Sequence, residues 1–176
     1  MDDVQNVNGI YAGYLILRIA VGIVMIAHGY NHIFRGGKIK GTAGWFESLG
    51  MKPGILHAWL ASLTELGAGA MLIAGFLTPL AAGGVVGVML VALITNHLKN
   101  GFFIFRPGEG YEYVLTLLLT GLAIGAIGAG KWSIDYHIDS AWLWGWKGLL
   151  VTAVAGIGGG VALLAVFWRP PAKTES

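Results

Sequence analysis

Five apolar stretches, each long enough to cross a lipid bilayer, dominate this chain of 176 residues. A helix rises 1.5 Å per residue, so about 20 apolar residues span the roughly 30 Å hydrocarbon core. The stretches cover residues 10–34, 55–76, 80–98, 111–129 and 148–168. Only 11% of residues are charged, less than half of the about 25% typical of soluble domains. The sequence therefore predicts an all-α membrane protein, a four-helix transmembrane bundle with an additional fifth transmembrane helix.

The ends of these stretches divide the chain into five parts. We predict a short extracytoplasmic N-terminus (1–9), a four-helix transmembrane domain (10–135), an aromatic interfacial loop (136–147), the fifth helix (148–168) and a cytoplasmic tail (169–176). The aromatic loop and the residues before it are rich in rings that prefer the headgroup level of a membrane. Those rings are Trp132, Tyr136, Trp142, Trp144 and Trp146. We interpret them as an interfacial anchor, with a ligand-stacking surface as the alternative.

Loop cations predict the orientation in the membrane, because cytoplasmic loops carry an excess of Lys and Arg. Eight cations fall on one predicted side: Arg35, Lys38, Lys40, Lys52, Lys99, Arg106, Arg169 and Lys173. Only Lys131 and Lys147 fall on the other side. This places the N-terminus outside and the C-terminus in the cytoplasm. The first stretch is expected to be retained rather than cleaved, because acidic residues precede it where a signal peptide carries basic ones.

Three pairs of glycines, each spaced four residues apart within a predicted span, favour close approach of helix backbones in lipid. The pairs are Gly83 with Gly87, Gly121 with Gly125, and Gly156 with Gly160. They predict tight packing in the bundle, or faces that bind protein partners or a second copy of the chain.

Two charged residues lie inside predicted spans, where an unpaired charge is costly. Arg18 lies about 12 Å into the first span from its outer end, counting 1.5 Å per residue. Glu65 lies about 13 Å into the second span from the opposite end by the same rise. These depths nearly coincide, so we predict an intramembrane ion pair between Arg18 and Glu65. Either it is purely structural, or it also contacts substrate or protons.

Histidines and carboxylates gather near the predicted cytoplasmic ends of the helices. His28 and His32 are four residues apart and share a helix face. His97 closes the third span, and Glu112 opens the fourth, where the helix dipole also favours it. The group could hydrogen-bond the carbonyls of a quinone and pass protons, since histidine titrates near neutrality. We favour a quinone over a divalent metal and over a b-type haem held between His28 and His97. The alternative is that these histidines only form hydrogen bonds at the lipid interface.

Composition excludes several other classes of function. The chain has no cysteine, so it contains no disulfide, thiolate metal site, iron–sulfur cluster or covalently attached haem of its own. A formal net charge of +2 is too small to indicate nucleic acid binding. No metal site is assigned from the sequence, because none of the spacings is a specific metal motif.

In seven short fragments, the chain resembles the DoxX family of small bacterial and archaeal membrane proteins over about residues 17–135. The fragments are Leu17-Arg18, His28-Gly29, Glu65-Leu66-Gly67-Ala68-Gly69, Gly75-Phe76-Leu77-Thr78, His97-Leu98-Lys99-Asn100-Gly101-Phe102-Phe103, Gly110-Tyr111-Glu112 and Gly128-Ala129-Gly130-Lys131-Trp132-Ser133-Ile134-Asp135. Two positions depart from the family pattern: His32 stands where the family often has lysine, and Pro79 where it often has a basic residue. If the family lysine binds an anion, this chain binds one more weakly or in a different way.

The resemblance implies a bacterial inner-membrane protein linked to redox chemistry. DoxD-type relatives look like subunits of a thiosulfate:quinone oxidoreductase, and mycobacterial members resemble a membrane component that works with superoxide dismutase and a sulfurtransferase in oxidative-stress defence. We therefore expect a subunit of a redox or oxidative-stress complex with a quinone-type ligand. Expected ligand contacts are Arg18, His28, His32, Glu65, His97 and Glu112. The alternatives are a non-catalytic scaffold or accessory subunit and, third, a small carrier or channel.

Overall fold

In a computed structural model, which describes residues 2–171, the chain forms a bundle of antiparallel helices without a β-strand. The helices are α1 (Asp2–Phe34), α2 (Lys38–Ser48), α3 (Gly54–Ala74), α4 (Thr78–Ala92), α5 (Glu112–Ile127), α6 (Ile134–His137), α7 (Trp146–Ala153) and α8 (Gly159–Phe167). A π-helical turn (Leu93–His97) and a 3₁₀ turn (Leu98–Asn100) extend α4, and a second π-helical turn (Val154–Gly158) joins α7 to α8. The end of the predicted tail, including Lys173, lies outside the described residues.

Four helical segments are long and apolar enough to cross a membrane: Val7–Phe34, Gly54–Ala74, Thr78–Asn100 and Trp146–Phe167. Glu112–Ile127 is also apolar but has only 16 residues, about 24 Å at 1.5 Å per residue. The predicted all-α membrane fold is confirmed. The predicted fifth helix is present as α7, the π-helical turn and α8.

Helix α2, between the first two spans, was not predicted. Its buried residues Ala43 and Phe46, with the partly buried Ile39, pack in a cluster with Ala58 of α3 and Leu164 of α8. Ile39, Ala43 and Phe46 have the i, i+4, i+7 spacing of an amphipathic helix, so the signal was in the sequence. At 11 residues α2 is too short to span a bilayer.

Helices α1 and α3 cross so closely that two glycines face each other. A Cβ atom placed on Gly22 would lie 2.7 Å from the carbonyl oxygen of Gly69, and one on Gly69 would lie 2.7 Å from that of Gly22. Because the helices run in opposite directions, the first half of the α1 span lies beside the end of α3. The second half of α1 therefore lies beside the first half of α3, with Gly29 against Ser62 and Glu65. This register determines which polar residues of α1 and α3 can meet each other.

The three predicted glycine pairs pack within the chain. A Cβ on Gly156 would meet the Gly83 carbonyl oxygen at 2.7 Å, and one on Gly87 would meet the Gly156 carbonyl oxygen at 3.3 Å. Gly125 lies against Thr152, whose hydroxyl donates a hydrogen bond of 2.8 Å to the Pro79 carbonyl. These glycines attach the fifth helix to α4 and α5. The prediction of close packing is confirmed, and their use as a partner-binding face stays a prediction.

Candidate ligand-binding cavity

A cavity of about 900 Å³ lies between α1, α2, α3, α4, α5 and α8. Ligand sites of this kind typically measure 300–1,000 Å³ and combine apolar walls with a few polar groups. Four of the five histidines of the chain line the cavity: His28, His32, His57 and His97. Glu65, Asn96, Glu109 and Tyr113 add further polar groups. The cavity brings together four of the six residues that the sequence proposed as ligand contacts.

Glu65 and His32 form the centre of the polar wall. Glu65 is 2% exposed, and its Oε2 atom lies 3.4 Å from Nε2 of His32 and accepts no hydrogen bond. His28 lies one helical turn earlier on α1, and ligand-type atoms of His28, His32 and Glu65 all lie within 4.8 Å of one another. The His28 ring stacks on Tyr113, whose hydroxyl is 3.5 Å from His28 Nε2. Two imidazoles thus lie beside one carboxylate, and a tyrosine hydroxyl lies beside the first of them.

His97 belongs to a second part of the wall, at the end of the π-helical turn that follows α4. Its Nδ1 atom lies 2.9 Å from the Glu109 carbonyl oxygen, and Nε2 lies 3.3 Å from the Asn96 amide nitrogen. Asn100 bonds the carbonyls of Asn96, Gly108 and Glu109 and so holds the following loop against this turn. Single π-helical turns occur often at functional sites because they redirect side chains. Here the turn and the loop together fix the position of the imidazole.

His57, in the first turns of α3, was not predicted as a site residue. It is 2% exposed, and both of its ring nitrogens lack a hydrogen-bond partner among residues 2–171. Its ring lies edge-on to Phe167, with centroids 5.1 Å apart, and near Phe46 at 6.2 Å. A buried polar group without a partner normally costs about 1–3 kcal/mol, and His57 is such a group in the wall of the cavity.

The rest of the cavity wall is apolar. It includes Leu60, Leu63, Met71, Leu80, Val88 and Leu163. Trp45 of α2 also lines the cavity, and its ring stacks near His32 with centroids 6.4 Å apart. The cavity therefore combines a localised polar wall with an apolar extension between α3, α4 and α8. This arrangement suits a ligand with a polar ring and an apolar body.

The predicted ion pair between Arg18 and Glu65 is not formed. Arg18 is 1% exposed and donates hydrogen bonds to the carbonyls of Leu72 (2.6 Å), Ile73 (3.2 Å) and Trp132 (2.7 Å). Leu72 lies seven residues beyond Glu65, about 10 Å along α3. The sequence placed Arg18 and Glu65 at the same depth by counting from the ends of their apolar stretches, and this was wrong by about 10 Å. The contact between Gly22 and Gly69 sets the actual register of α1 and α3. Arg18 is therefore a structural clamp and lies outside the cavity wall.

Asp135 completes this clamp on the same side of the bundle. It is 1% exposed, and its carboxylate accepts hydrogen bonds from the backbone amides of Leu77 (2.8 Å) and Thr78 (2.9 Å) at the start of α4. The Asp135 amide in turn donates to the Gly75 carbonyl at 2.8 Å. Gly75 has a φ of 65° and lies directly against Arg18 and Ser133. The Gly-Phe-Leu-Thr and Ser-x-Asp fragments are thus two halves of one helix cap.

Glu112 is not among the residues that line the cavity. It begins α5, where a carboxylate interacts favourably with the helix dipole. Glu109 and Tyr113, its neighbours in sequence, do line the cavity.

The aromatic residues after Asp135 form short helical turns rather than a plain loop. Trp142 and Trp146 there are 65% and 86% exposed, as an interfacial anchor requires.

Comparison with known proteins gives one family and no closer relative. The family model described as DoxX matches residues 13–98. This region contains most of α1, all of α2 to α4 and the π-helical turn after α4, and so holds every residue of the polar wall except Tyr113 and Glu109. No curated protein and no solved structure matches the chain significantly.

Proposed function

Because residues 13–98 of this chain are a DoxX-family region, we propose that it is the membrane subunit of an oxidoreductase complex and binds a quinone-type ligand. The observation that carries this proposal is the cavity, in which His28, His32, Glu65 and His97 converge. Bundle interiors are common sites for ligands and cofactors, and the apolar extension matches a lipid-soluble molecule.

The polar wall supplies what reduction of a quinone to a quinol requires from the protein. That reaction takes up two electrons and two protons. Histidine side chains, and a glutamate in its protonated carboxylic acid form, can donate hydrogen bonds or protons to the two carbonyl oxygens. The electrons come from a partner protein, because this chain has no cysteine with which to make a thiol or iron–sulfur centre. The proposal therefore includes a redox partner, of the kind used in oxidative-stress defence.

For the location we propose the bacterial inner membrane, with the N-terminus outside and the C-terminus in the cytoplasm. Arg169 bonds through its amide to the Gly50 carbonyl at 2.9 Å, so the end of α8 and the α2–α3 connection lie on one side. That side carries Arg35, Lys38, Lys40 and Lys52, and the polar wall lies nearer to it. Single cysteines introduced at Lys38 and Lys147 test this, since the native chain has none. An impermeant maleimide added to whole cells labels only the Lys147→Cys protein if the orientation is as proposed.

The scaffold alternative has less support. It placed partners on the glycine pairs and on the fifth helix, and the glycine pairs pack against other helices of the same chain. It also expected a filled bundle in which the polar residues satisfy one another, whereas His57 and Glu65 retain unpaired atoms in the cavity wall.

Purification in a mild detergent, followed by mass spectrometry of extracted lipids and of co-purifying proteins, tests the proposal. We expect a quinone in stoichiometric amount, reduced at least about tenfold by Glu65→Gln or His97→Ala, because each removes hydrogen bonds of about 1.5 kcal/mol or more. The matched control is Arg35→Gln, because Arg35 is an exposed cation that does not line the cavity. A stoichiometric protein partner without quinone would instead establish an accessory subunit.

A further inference from the structure

We infer that His28, His32 and Glu65 form a binding site for one divalent transition-metal ion at the polar wall of the cavity. None of the spacings in the sequence is a specific metal motif, and Glu65 is distant in sequence from the two histidines. The fold brings all three together, with two imidazoles on one face of α1 and a carboxylate opposite them on α3. This inference does not depend on whether a quinone binds.

The first observation is the state of Glu65. Its carboxylate is buried beside Gly29, where a Cβ on the glycine would lie 3.2 Å from Glu65 Cβ. Oε2 accepts no hydrogen bond, and the imidazole of His32 lies 3.4 Å from it. A buried carboxylate is strongly disfavoured unless it is paired or coordinates a metal. Glu65 thus points an unsatisfied anionic atom at the two imidazoles.

The second observation is the distance between donor atoms. Metal–nitrogen and metal–oxygen bonds of about 2.0–2.2 Å in tetrahedral geometry separate neighbouring ligand atoms by about 3.3 Å. The pair of His32 and Glu65 already has that separation, at 3.4 Å. All three ligand atoms lie within 4.8 Å of one another, so a rotation of the exposed His28 ring completes the set.

The donor types select the class of metal. Two imidazoles and one carboxylate are the ligand set of Zn²⁺ hydrolytic sites and of Fe²⁺ sites with open positions, whereas Mg²⁺ and Ca²⁺ prefer oxygen ligands alone. The three ligands leave coordination positions open toward the cavity, where an oxygen atom of a ligand or a water molecule can bind. Tyr113, stacked on His28, orients that ring from the other side.

Titration of the purified, chelator-treated chain with Co²⁺, followed by its visible absorption, tests the inference directly. We expect one ion per chain, displaced by Zn²⁺. His28→Ala and Glu65→Gln are each expected to weaken Co²⁺ binding about 100-fold. Changing a residue that only supports a metal ligand typically lowers metal affinity about 10- to 100-fold, and loss of a ligand is expected to cost at least as much. The matched control is His97→Ala, which removes a histidine of the same cavity from outside the cluster and leaves Co²⁺ binding unchanged.

A failure to fold does not obscure the result, because His28 is exposed and its truncation leaves the α1–α3 contact intact. Binding that is absent in the native chain, or equal in the native and His28→Ala proteins, would overturn the inference and leave His32 as the contact of Glu65. The quinone content of the same preparations is an independent readout. Metal binding without quinone supports the metal site and contradicts the proposed function, and quinone without metal does the reverse.

Discussion

Oε2 of Glu65 lies 3.4 Å from Nε2 of His32 across the α1–α3 interface, and this is the one acid–base contact within 4 Å among the side chains of residues 7–171. Both residues line the cavity. Arg18, on the same helix as His32, is nearer the opposite membrane surface and bonds only to carbonyls. The bundle thus separates two roles: a structural clamp toward one surface and a chemically equipped cavity toward the other.

Replacing Arg18 by methionine is expected to destabilise the protein by about 3 kcal/mol, because three carbonyls lose a charged donor in a buried site. A change of this size lowers the thermal midpoint by about 6–12 °C in a chain of this length. Thermal unfolding in detergent, followed by circular dichroism, measures the shift. Arg35→Met, at an exposed position, is the control and is expected to change the midpoint little. Equal midpoints for both variants would contradict the clamp.

Gly75→Ala tests the junction between α3 and α4. The residue has a φ of 65°, and a Cβ there would lie 2.6 Å from Nη1 of Arg18 and overlap Ser133. We expect a loss of about 2 kcal/mol or more, combining backbone strain with displacement of the guanidinium. Gly13→Ala in α1 is the control, since nothing lies within 4 Å of its added methyl group and alanine favours helix. A Gly75→Ala protein as stable as Gly13→Ala would show that the junction tolerates a side chain.

Asp135→Asn removes one of two acceptors that cap α4. Its oxygens accept from the amides of Leu77 and Thr78, and an asparagine leaves one amide facing an NH₂ group. We expect a loss of about 1–2 kcal/mol, measured as a lower thermal midpoint. Asp139→Asn, an exposed substitution at a φ of 54° that asparagine also accepts, is the matched control. If both variants melted together, Asp135 would not act as a cap.

Gly156→Val is expected to separate the fifth helix from α4, since its Cβ would lie 2.6 Å from Val86 Cβ. The cost is about 1–3 kcal/mol, as for other overpacked interfaces. Gly158→Val, two residues along the same π-helical turn with open space around it, provides the comparison. Limited proteolysis and thermal unfolding are expected to distinguish the two, and similar behaviour would mean that the glycine contact is dispensable.

The membrane fold could be predicted because crossing a bilayer requires long apolar stretches, a local property of the sequence. The partners of Arg18 could not, because they depend on the register between α1 and α3, which two glycines distant in sequence determine. Glu65 was recognised as a charge inside a span, and His28, His32 and His97 as histidines near one end of the helices; the cavity contains all four. His57 was missed because a lone histidine at a helix start has no distinguishing pattern. The role of Trp45 in the cavity wall was missed because the segment that forms α2 was interpreted as a loop between the first two spans.

Binding of a short-chain benzoquinone to the purified chain, followed by tryptophan fluorescence, tests the central claim most directly. Among residues 2–171, Trp45 is the tryptophan that lines the cavity, whereas Trp142 is exposed outside it. We expect saturable quenching that Trp45→Phe abolishes, that Trp142→Phe leaves unchanged, and that Glu65→Gln shifts to about tenfold higher quinone concentration. Quenching that rises linearly without saturation, or that is equal in the two tryptophan variants, would contradict a quinone site in this cavity.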